Sequence, residues 1–323
     1  MRIAVSGSIA TDHLMTFPGR FAEQLVAESL DHLSVSFLVD DLEVRRGGVA
    51  ADICFGLGQL GLQPLLVGAV GRDFADYREW LERHGVDTSG VLVDEAASTA
   101  RFTCTTDADQ NQIGSFYPGA MSRARDIDLA SLGPLDLVLV SPNDPAAMLR
   151  HAAWCRQHGV PFAADPSQQL ASLDADAVRE LVEGASLLFT NAYEAELLQH
   201  KTGWSDDDVV ARVSTRVTTR GPAGAVIQRA GEPDIAVAVV PGKAVAEPTG
   251  VGDAFRAGFL AGQSWGLSME RSAQAGALLA TLCVETVGPQ EYAIDPVEAR
   301  ERLVEAYGAA AADEIAGRLT RRP

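Results

Sequence analysis

Asp253 stands directly after Gly250-Val251-Gly252 in the stretch "EPTGVGDAF" (247–255), and an apolar pattern at helical spacing, "DAFRAGFLAGQSWG", begins at that aspartate. Glycines open backbone conformations closed to other residues, and successive N–H groups in such a turn converge on one concavity. The N-terminus of the following helix adds partial positive charge at the same spot. Gly250, Val251 and Gly252 therefore read as an anion hole. The carboxylate at its edge is placed to take a proton from a hydroxyl that attacks a phosphorus held there. Taken alone, the same residues equally describe a loop-to-helix junction in which Asp253 is a cap.

Four further constellations bear on that choice. Asn191 and Glu194, in "TNAYEAELL" (190–198), follow a strand end and could organise water around a metal that shields nucleotide phosphates; an N-cap with a surface glutamate is the plainer account. Thr219, Gly221 and Gly224, in "VTTRGPAGA" (217–225), make a tight turn after a strand, suited to backbone contact with a nucleotide or to an ordinary hairpin. Gly47 and Gly48, in "RGGVAAD", precede a helix where backbone can approach a ligand closely. Asp12 lies just beyond the first strand, as a ligand or as a turn residue.

The elements that must position these groups alternate along the chain. Residues 2–8, 64–70, 136–141, 160–166 and 185–191 are apolar runs that read as buried strands, and helical patterns such as 47–61 and 73–85 lie between them. Such alternation predicts an α/β fold, a mostly parallel sheet with helices on both faces. Two segments break the rhythm: 33–46 and 99–119 alternate apolar and polar residues, with the turn cluster "DADQNQ" inside the second. Alternation means one wet face, so they are expected to form a small β-sheet lid (11–46 and 98–119) on a large nucleotide-binding and catalytic domain (1–10, 47–97 and 120–323). The alanine-rich tail "AYGAAAADEIAGRL" reads as a terminal helix.

Composition narrows the function. The 323 residues are 47% hydrophobic and carry a formal net charge of −18. Such acidity disfavours nucleic acid or an anionic membrane as partner, while a local nest of N–H groups can still hold a small anion. The four cysteines are scattered without a CxxC pair, so neither a zinc site nor a disulfide framework is expected. With no apolar run near the length of a membrane span and no secretory signal pattern, a cytoplasmic protein is expected.

The order and spacing of these pieces resemble the ribokinase-like (PfkB) family of carbohydrate kinases over nearly the whole chain, most specifically in the "GG" block at 47–48 and in "TGVGDAF" (249–255). The resemblance implies a Rossmann-like domain with a β-sheet lid, and transfer of the terminal phosphoryl of ATP to a hydroxyl with magnesium. It implies Asp253 as catalytic base, Gly250, Val251 and Gly252 as the anion hole, Asn191 and Glu194 acting through water on magnesium, and Thr219, Gly221 and Gly224 at the nucleotide. "GSIATDHL", "FLVDDL", "ARFTCTTD", "SFYPGAM" and "AADPSQQL" look like the bacterial adenosine-kinase branch, of actinobacterial type. That branch implies Asp12 on the ribose, Phe102 and Phe116 on the base, Gln168 and Gln169 at the rim, and Ser8, Ser36, Gly48 and Asp52 on the substrate side. It also implies a homodimer built through the lids. Flat apolar purine faces suit two lid phenylalanines.

Three departures from the family's usual residues stand out: Asp52 in place of asparagine, Glu247 in place of aspartate, and Ala223 in place of lysine. Glu247 falls at a monovalent-cation site, so potassium is expected to raise activity, with "VETVGPQ" (284–290) supplying carbonyl partners. Asp52 and Asp12 are expected to share a partly desolvated pocket and to repel each other. The sequence thus reads as an adenosine 5′-kinase, with a kinase of another nucleoside or a simple sugar such as ribose or fructose as the alternative. A nucleoside sensor without turnover is the non-enzyme reading.

Overall fold

A computed structural model describes residues 1–24 and 35–319 of the chain. In chain order the strands are β1 (Ile3–Ser6), β2 (Ala10–Thr16), β3 (Asp41–Gly47), β4 (Leu65–Gly71), β5 (Asp87–Asp94), β6 (Ala100–Thr106) and β7 (Gln112–Tyr117). They continue as β8 (Leu137–Val140), β9 (Phe162–Ala164), β10 (Leu187–Asn191), β11 (Arg216–Thr219), β12 (Ala225–Gln228) and β13 (Ile235–Val237). Nine of them form one sheet in the order β13-β12-β11-β10-β9-β8-β1-β4-β5. From β5 to β11 the pairings are parallel.

The central strands are apolar throughout because both of their faces are covered. Ile3 and Val5 of β1, with Leu137 and Leu139 of β8, pack beneath the helices Val49–Gln59 and Val251–Ser264. Ala4, Val138 and Val140 point to the other face, into a second core with the helices Pro145–His158 and Ala175–Val182. The two-residue period of a strand divides its side chains between these cores. The parallel run ends at β11, which leaves the sheet mostly parallel as expected. The turn after Thr219 reverses the chain, and β12 and β13 add to the edge antiparallel.

A separate four-stranded sheet has the order β3-β2-β6-β7. Its register pairs Ala10 with both Gly47 and Ala100, and Arg101 with Tyr117. The chain therefore enters or leaves all four strands at the same end of this sheet. At the opposite end, the Asp107 carboxylate accepts the backbone N–H groups of Phe21, Asp109 and Asn111 at 2.9, 3.0 and 2.8 Å and closes the turn cluster.

The alternating segment 33–46 corrects in part. Residues 33 and 34 lie outside the described residues, 35–40 are not strand, and only β3 forms. Phe37 instead packs its ring on Phe17 and Phe21, with centroids 5.1 and 4.9 Å apart, so an aromatic cluster rather than a ladder uses its apolar surface. The tail is two helices, Pro296–Tyr307 and Ala309–Ala316, broken at Gly308 with φ 84°. No helix among the described residues is long and apolar enough to cross a membrane.

Candidate active site

The order of connections fixes where a crevice must open. From β1 the chain goes to β4 on one side, and β8 later takes the other side. Ligands bind open α/β sheets at such a switch, outside the carboxyl ends of the strands. A cavity of about 460 Å³ lies there. Ser8 after β1, Asn143 after β8, Gln168 and Gln169 after β9, and Asn191 and Thr219 closing β10 and β11 line its large-sheet side. Gln169 Nε2 donates to the Asn143 carbonyl at 2.7 Å, which fixes that rim.

The small sheet supplies the opposite wall through one cross-strand row. Arg45 of β3 lies opposite Asp12 of β2, Asp12 opposite Phe102 of β6, and Phe102 opposite Phe116 of β7. Directly opposed residues point to one face, and Asp12, Phe102 and Phe116 all line the cavity. Phe116 is 50% exposed, an apolar ring with one side unpartnered. Two glycines make the junction below the row. A Cβ on Gly47 would meet Asp12 Oδ2 at 2.9 Å, and Gly48, at φ 101°, leaves no room for one against Ala10 N at 2.6 Å. Burial pushes the Asp12 carboxyl up to about 6, against the lowering pull of Arg45 and with a further push from Glu247.

The floor is the N-terminus of the helix Val251–Ser264. Its N-cap is Gly250, in the left-handed region at φ 77°, where a Cβ would strike Pro289. The first backbone bond of the helix is Ala254 N–H to the Gly250 carbonyl, so the N–H groups of Gly252 and Asp253 remain for a ligand. Gly250, Gly252 and Asp253 line the cavity; Val251 contributes the turn but not the lining. Asp253 lies in the first turn of the helix rather than at its N-cap, which is Gly250. Its nearest charge is Arg256, Oδ1 to Nη1 at 3.8 Å, one helical turn on. Arg256 Nη2 is bound to Asp165 Oδ1 at 2.6 Å, a pair buried at the end of β9. Burial raises Asp253 to about 7; Arg256 lowers it, and Asp165 and Glu194 raise it further. A carboxyl at that value is poised as a general base near neutrality.

Asp52 also lines the cavity, from the first turn of the helix Val49–Gln59, and is 6% exposed. Gln290 Nε2 donates to its Oδ1 at 2.7 Å and also meets the Tyr77 hydroxyl, which donates to the Gly47 carbonyl. Burial pushes Asp52 well above the usual carboxylate range, and repulsion from Asp253 adds more than that from Asp12. The expected Asp12–Asp52 conflict is thus the lesser of two.

Asn191 and Glu194 lie at the mouth and cap each other. Asn191 Oδ1 accepts the Glu194 N–H, and Glu194 Oε2 the Asn191 N–H, both at 2.8 Å, so the N-cap account holds together with cavity lining. Gly221 and Gly224 shape the turn between β11 and β12 outside the lining. Ser36 is exposed and away from the cavity. Glu247, the residue expected at a monovalent-cation site, is bound through Oε2 to Arg45 and to the Gly288 N–H.

The profile of pfkB family carbohydrate kinases matches residues 10–295. The chain belongs to this family. As a pfkB family kinase it is a phosphotransferase acting on alcohol groups. A nucleoside kinase of Methanothermobacter thermautotrophicus is 30% identical over 269 residues, 81% of this chain and 86% of the relative. The solved nucleoside kinase of Burkholderia thailandensis in complex with inosine is 34% identical with a TM-score of 0.84, covering 95% of this chain and 98% of that one. Its ADP-inosine complex superposes with a TM-score of 0.82 at 34% identity, covering 95% and 96% of the two chains.

No group of three or more His, Cys, Asp or Glu able to hold a metal occurs among the described residues. Magnesium needs none, because it keeps its waters and takes one or two carboxylates plus substrate phosphates. Glu194 faces the cavity, and Asp165 Oδ2 beside it is buried without a hydrogen-bond partner, so this acidic wall of the pfkB site fits such an ion. Arg256, Asp165, Arg45 and Gln290 were missed from sequence. The only signal was Arg256, a cation in an otherwise apolar stretch three residues after Asp253.

Proposed function

We propose that this pfkB family kinase transfers the γ-phosphoryl group of ATP to the 5′-hydroxyl of a nucleoside, with adenosine as acceptor. The observation that carries the reading is the row Asp12–Phe102–Phe116 facing the helix N-terminus and Asp253 across one cavity. A nucleoside has a diol for an ionised carboxylate to accept from and a flat base for aromatic rings to cover. Gln168 and Gln169 offer polar groups at the rim. The inosine and ADP-inosine complexes of the Burkholderia relative support both the acceptor class and a nucleotide donor.

In this reading Asp253 accepts the 5′-hydroxyl proton as the oxygen attacks the γ-phosphorus. The new P–O bond forms as the bond to the β-phosphate bridging oxygen breaks, giving nucleoside monophosphate and ADP. The free N–H groups of Gly252 and Asp253 hold the equatorial oxygens, and such preorganised donors supply most of the rate. Magnesium, when bound, neutralises charge on the donor phosphates; Asn191 and Glu194 would hold it through water. The small sheet acts as a lid that keeps water from the phosphoryl group. Its outer face exposes Leu42, Val44 and Ile113, a surface suited to a second copy of the chain.

Inosine is the second reading, favoured by the Burkholderia complex. A plain sugar leaves Phe102 and Phe116 without a partner, and a sensor leaves Asp253 without a task. A coupled assay across adenosine, inosine, guanosine, cytidine, ribose and fructose decides. Adenosine with the highest kcat/KM supports the reading, another nucleoside replaces the acceptor, and turnover of sugars alone overturns it.

A further inference from the structure

Arg45 of the small sheet is tied to the loop of the anion hole by an ion pair with Glu247. Its Nη1 donates to Glu247 Oε2 at 2.5 Å, and its Nε and Nη2 donate to the two carboxylate oxygens of Glu43, both at 2.7 Å. The side chains of Arg45 and Glu247 are only 17% and 19% exposed. Glu247 Oε2 accepts a second hydrogen bond from the Gly288 N–H at 3.0 Å. Gly288 is followed by Pro289, whose ring rests against Gly250 of the anion hole. On the other side of the sheet row, Arg45 lies directly opposite Asp12 and lowers its pKa.

We propose that the Arg45 guanidinium is a resident cation of this active site, standing in for a monovalent metal ion at Glu247 and tying the substrate-gripping strand β2–β3 pair to the anion-hole loop. Three observations carry this. The carboxylate oxygen that would ligate an ion already holds a full positive charge and an amide. The Val284 carbonyl, in the stretch expected to supply further ligands, accepts the N–H groups of both Ala246 and Glu247, at 2.8 and 3.2 Å. A guanidinium does not lose its proton at any working pH, and its planar fork spans two carboxylates at fixed geometry, which a bare ion on flexible ligands does not. A metal ion on the same oxygen would face an unscreened like charge in a partly desolvated place. Arg45 is therefore a positioning residue: it lies outside the cavity lining, and it links Asp12 across the sheet to Glu247 and, through Glu247, to Gly288.

The proposal rests on the kinase reading, and the test separates the two. Initial rates with adenosine and ATP–magnesium are compared in potassium and in tetramethylammonium, for wild type, Arg45→Ala, Arg45→Lys and Glu247→Gln, with adenosine binding measured by calorimetry in parallel. Wild type should give the same rate in both salts. Arg45→Ala should lose about 10- to 100-fold in kcat/KM, the scale of a misplaced site, and recover with added guanidinium or potassium ions, while Arg45→Lys, which keeps the charge without the fork, should fall between. Glu247→Gln should lower kcat with no response to potassium. Wild type that requires potassium, or Arg45→Ala that matches wild type in tetramethylammonium while melting at the same temperature, overturns the proposal. If Arg45→Ala fails to fold, Arg45→Lys and the wild-type salt comparison still decide it. Wild type inactive on every acceptor would sink the kinase reading, and the salt dependence of adenosine binding would then still report on Arg45.

Discussion

In the proposed mechanism Asp253 acts only while ionised, and burial with its acidic neighbours raises its carboxyl to about 7. Activity should therefore rise with pH through that value and level off above it. Asp253→Asn should keep ligand binding and lose about 100- to 10,000-fold in kcat, the range of a lost general base; near-normal turnover in steady-state assays would remove the residue from the mechanism. Asp165 raises the Asp253 pKa and also occupies Arg256. Asp165→Asn should consequently shift the acid limb of the kcat profile to lower pH, a displacement that mere loosening of the fold would not produce. Asp52 is the inverse case. Burial, with repulsion from Asp253 more than from Asp12, disfavours the ionised form of Asp52, and a neutral carboxyl there resembles the asparagine expected at this position. Asp52→Asn should leave kcat/KM at pH 7 within about threefold, less than the tenfold that 1.4 kcal/mol represents, and should flatten any fall above pH 8. None of these couplings was legible in the sequence: Asp52 and Gln290 are 238 residues apart, and Asp165 and Arg256 are 91 apart. The glycine-flanked Asp253 was legible because its chemistry is local.

Elements were easier to read where one physical rule dominates. β1, β4, β8, β9 and β10 are apolar because both faces of the sheet are covered, and each coincides, to within one residue, with a run that the sequence marks. β12 and the edge strand β13 are only four and three residues long, too short for an apolar run to mark them. Alternation at 35–40 misled, because apolar residues every second position also serve a ring cluster such as Phe17–Phe21–Phe37. In the small sheet, Phe102 and Phe116 are paired by register, and Gly114 lies against the Phe102 ring, where a Cβ would come within 3.1 Å. Phe102→Ala or Phe116→Ala should weaken adenosine binding by about 1–3 kcal/mol, as for lost stacking on a base, and leave ribose turnover unchanged. Equal losses for both acceptors in the same assay would mean that the rings only hold the sheet together.

At the scale of the molecule, the cavity concentrates carboxyls whose pKa values rise on folding: Asp12 and Asp165 to about 6, Asp253 to about 7, and Asp52 above the usual range. The folded state thus binds more protons than the unfolded chain above pH 4, and stability falls as pH rises through those values. Carboxylates held low, such as Glu43, act with the opposite sign, but their contribution is already complete above the ordinary carboxylate range. The ligand-free protein should therefore melt roughly 5 °C lower at pH 8 than at pH 5.5, on the scale of a few kcal/mol, in scanning calorimetry; a rise over that interval would contradict the burial of these groups. The common entry end of the small sheet has a mechanical consequence. Four attachments in a line define a hinge axis, and Asp12, Arg45, Phe102 and Phe116 each stand one or two residues from it. At ~3.3 Å per residue, every member of the row has nearly the same short lever arm. A tilt about that axis would swing them through equal arcs, so the sugar cannot be gripped while the base is left uncovered. Asp12→Asn and Phe102→Ala should then be strongly non-additive in a double-mutant cycle on adenosine affinity, although in the proposed reading the two side chains serve different halves of the ligand.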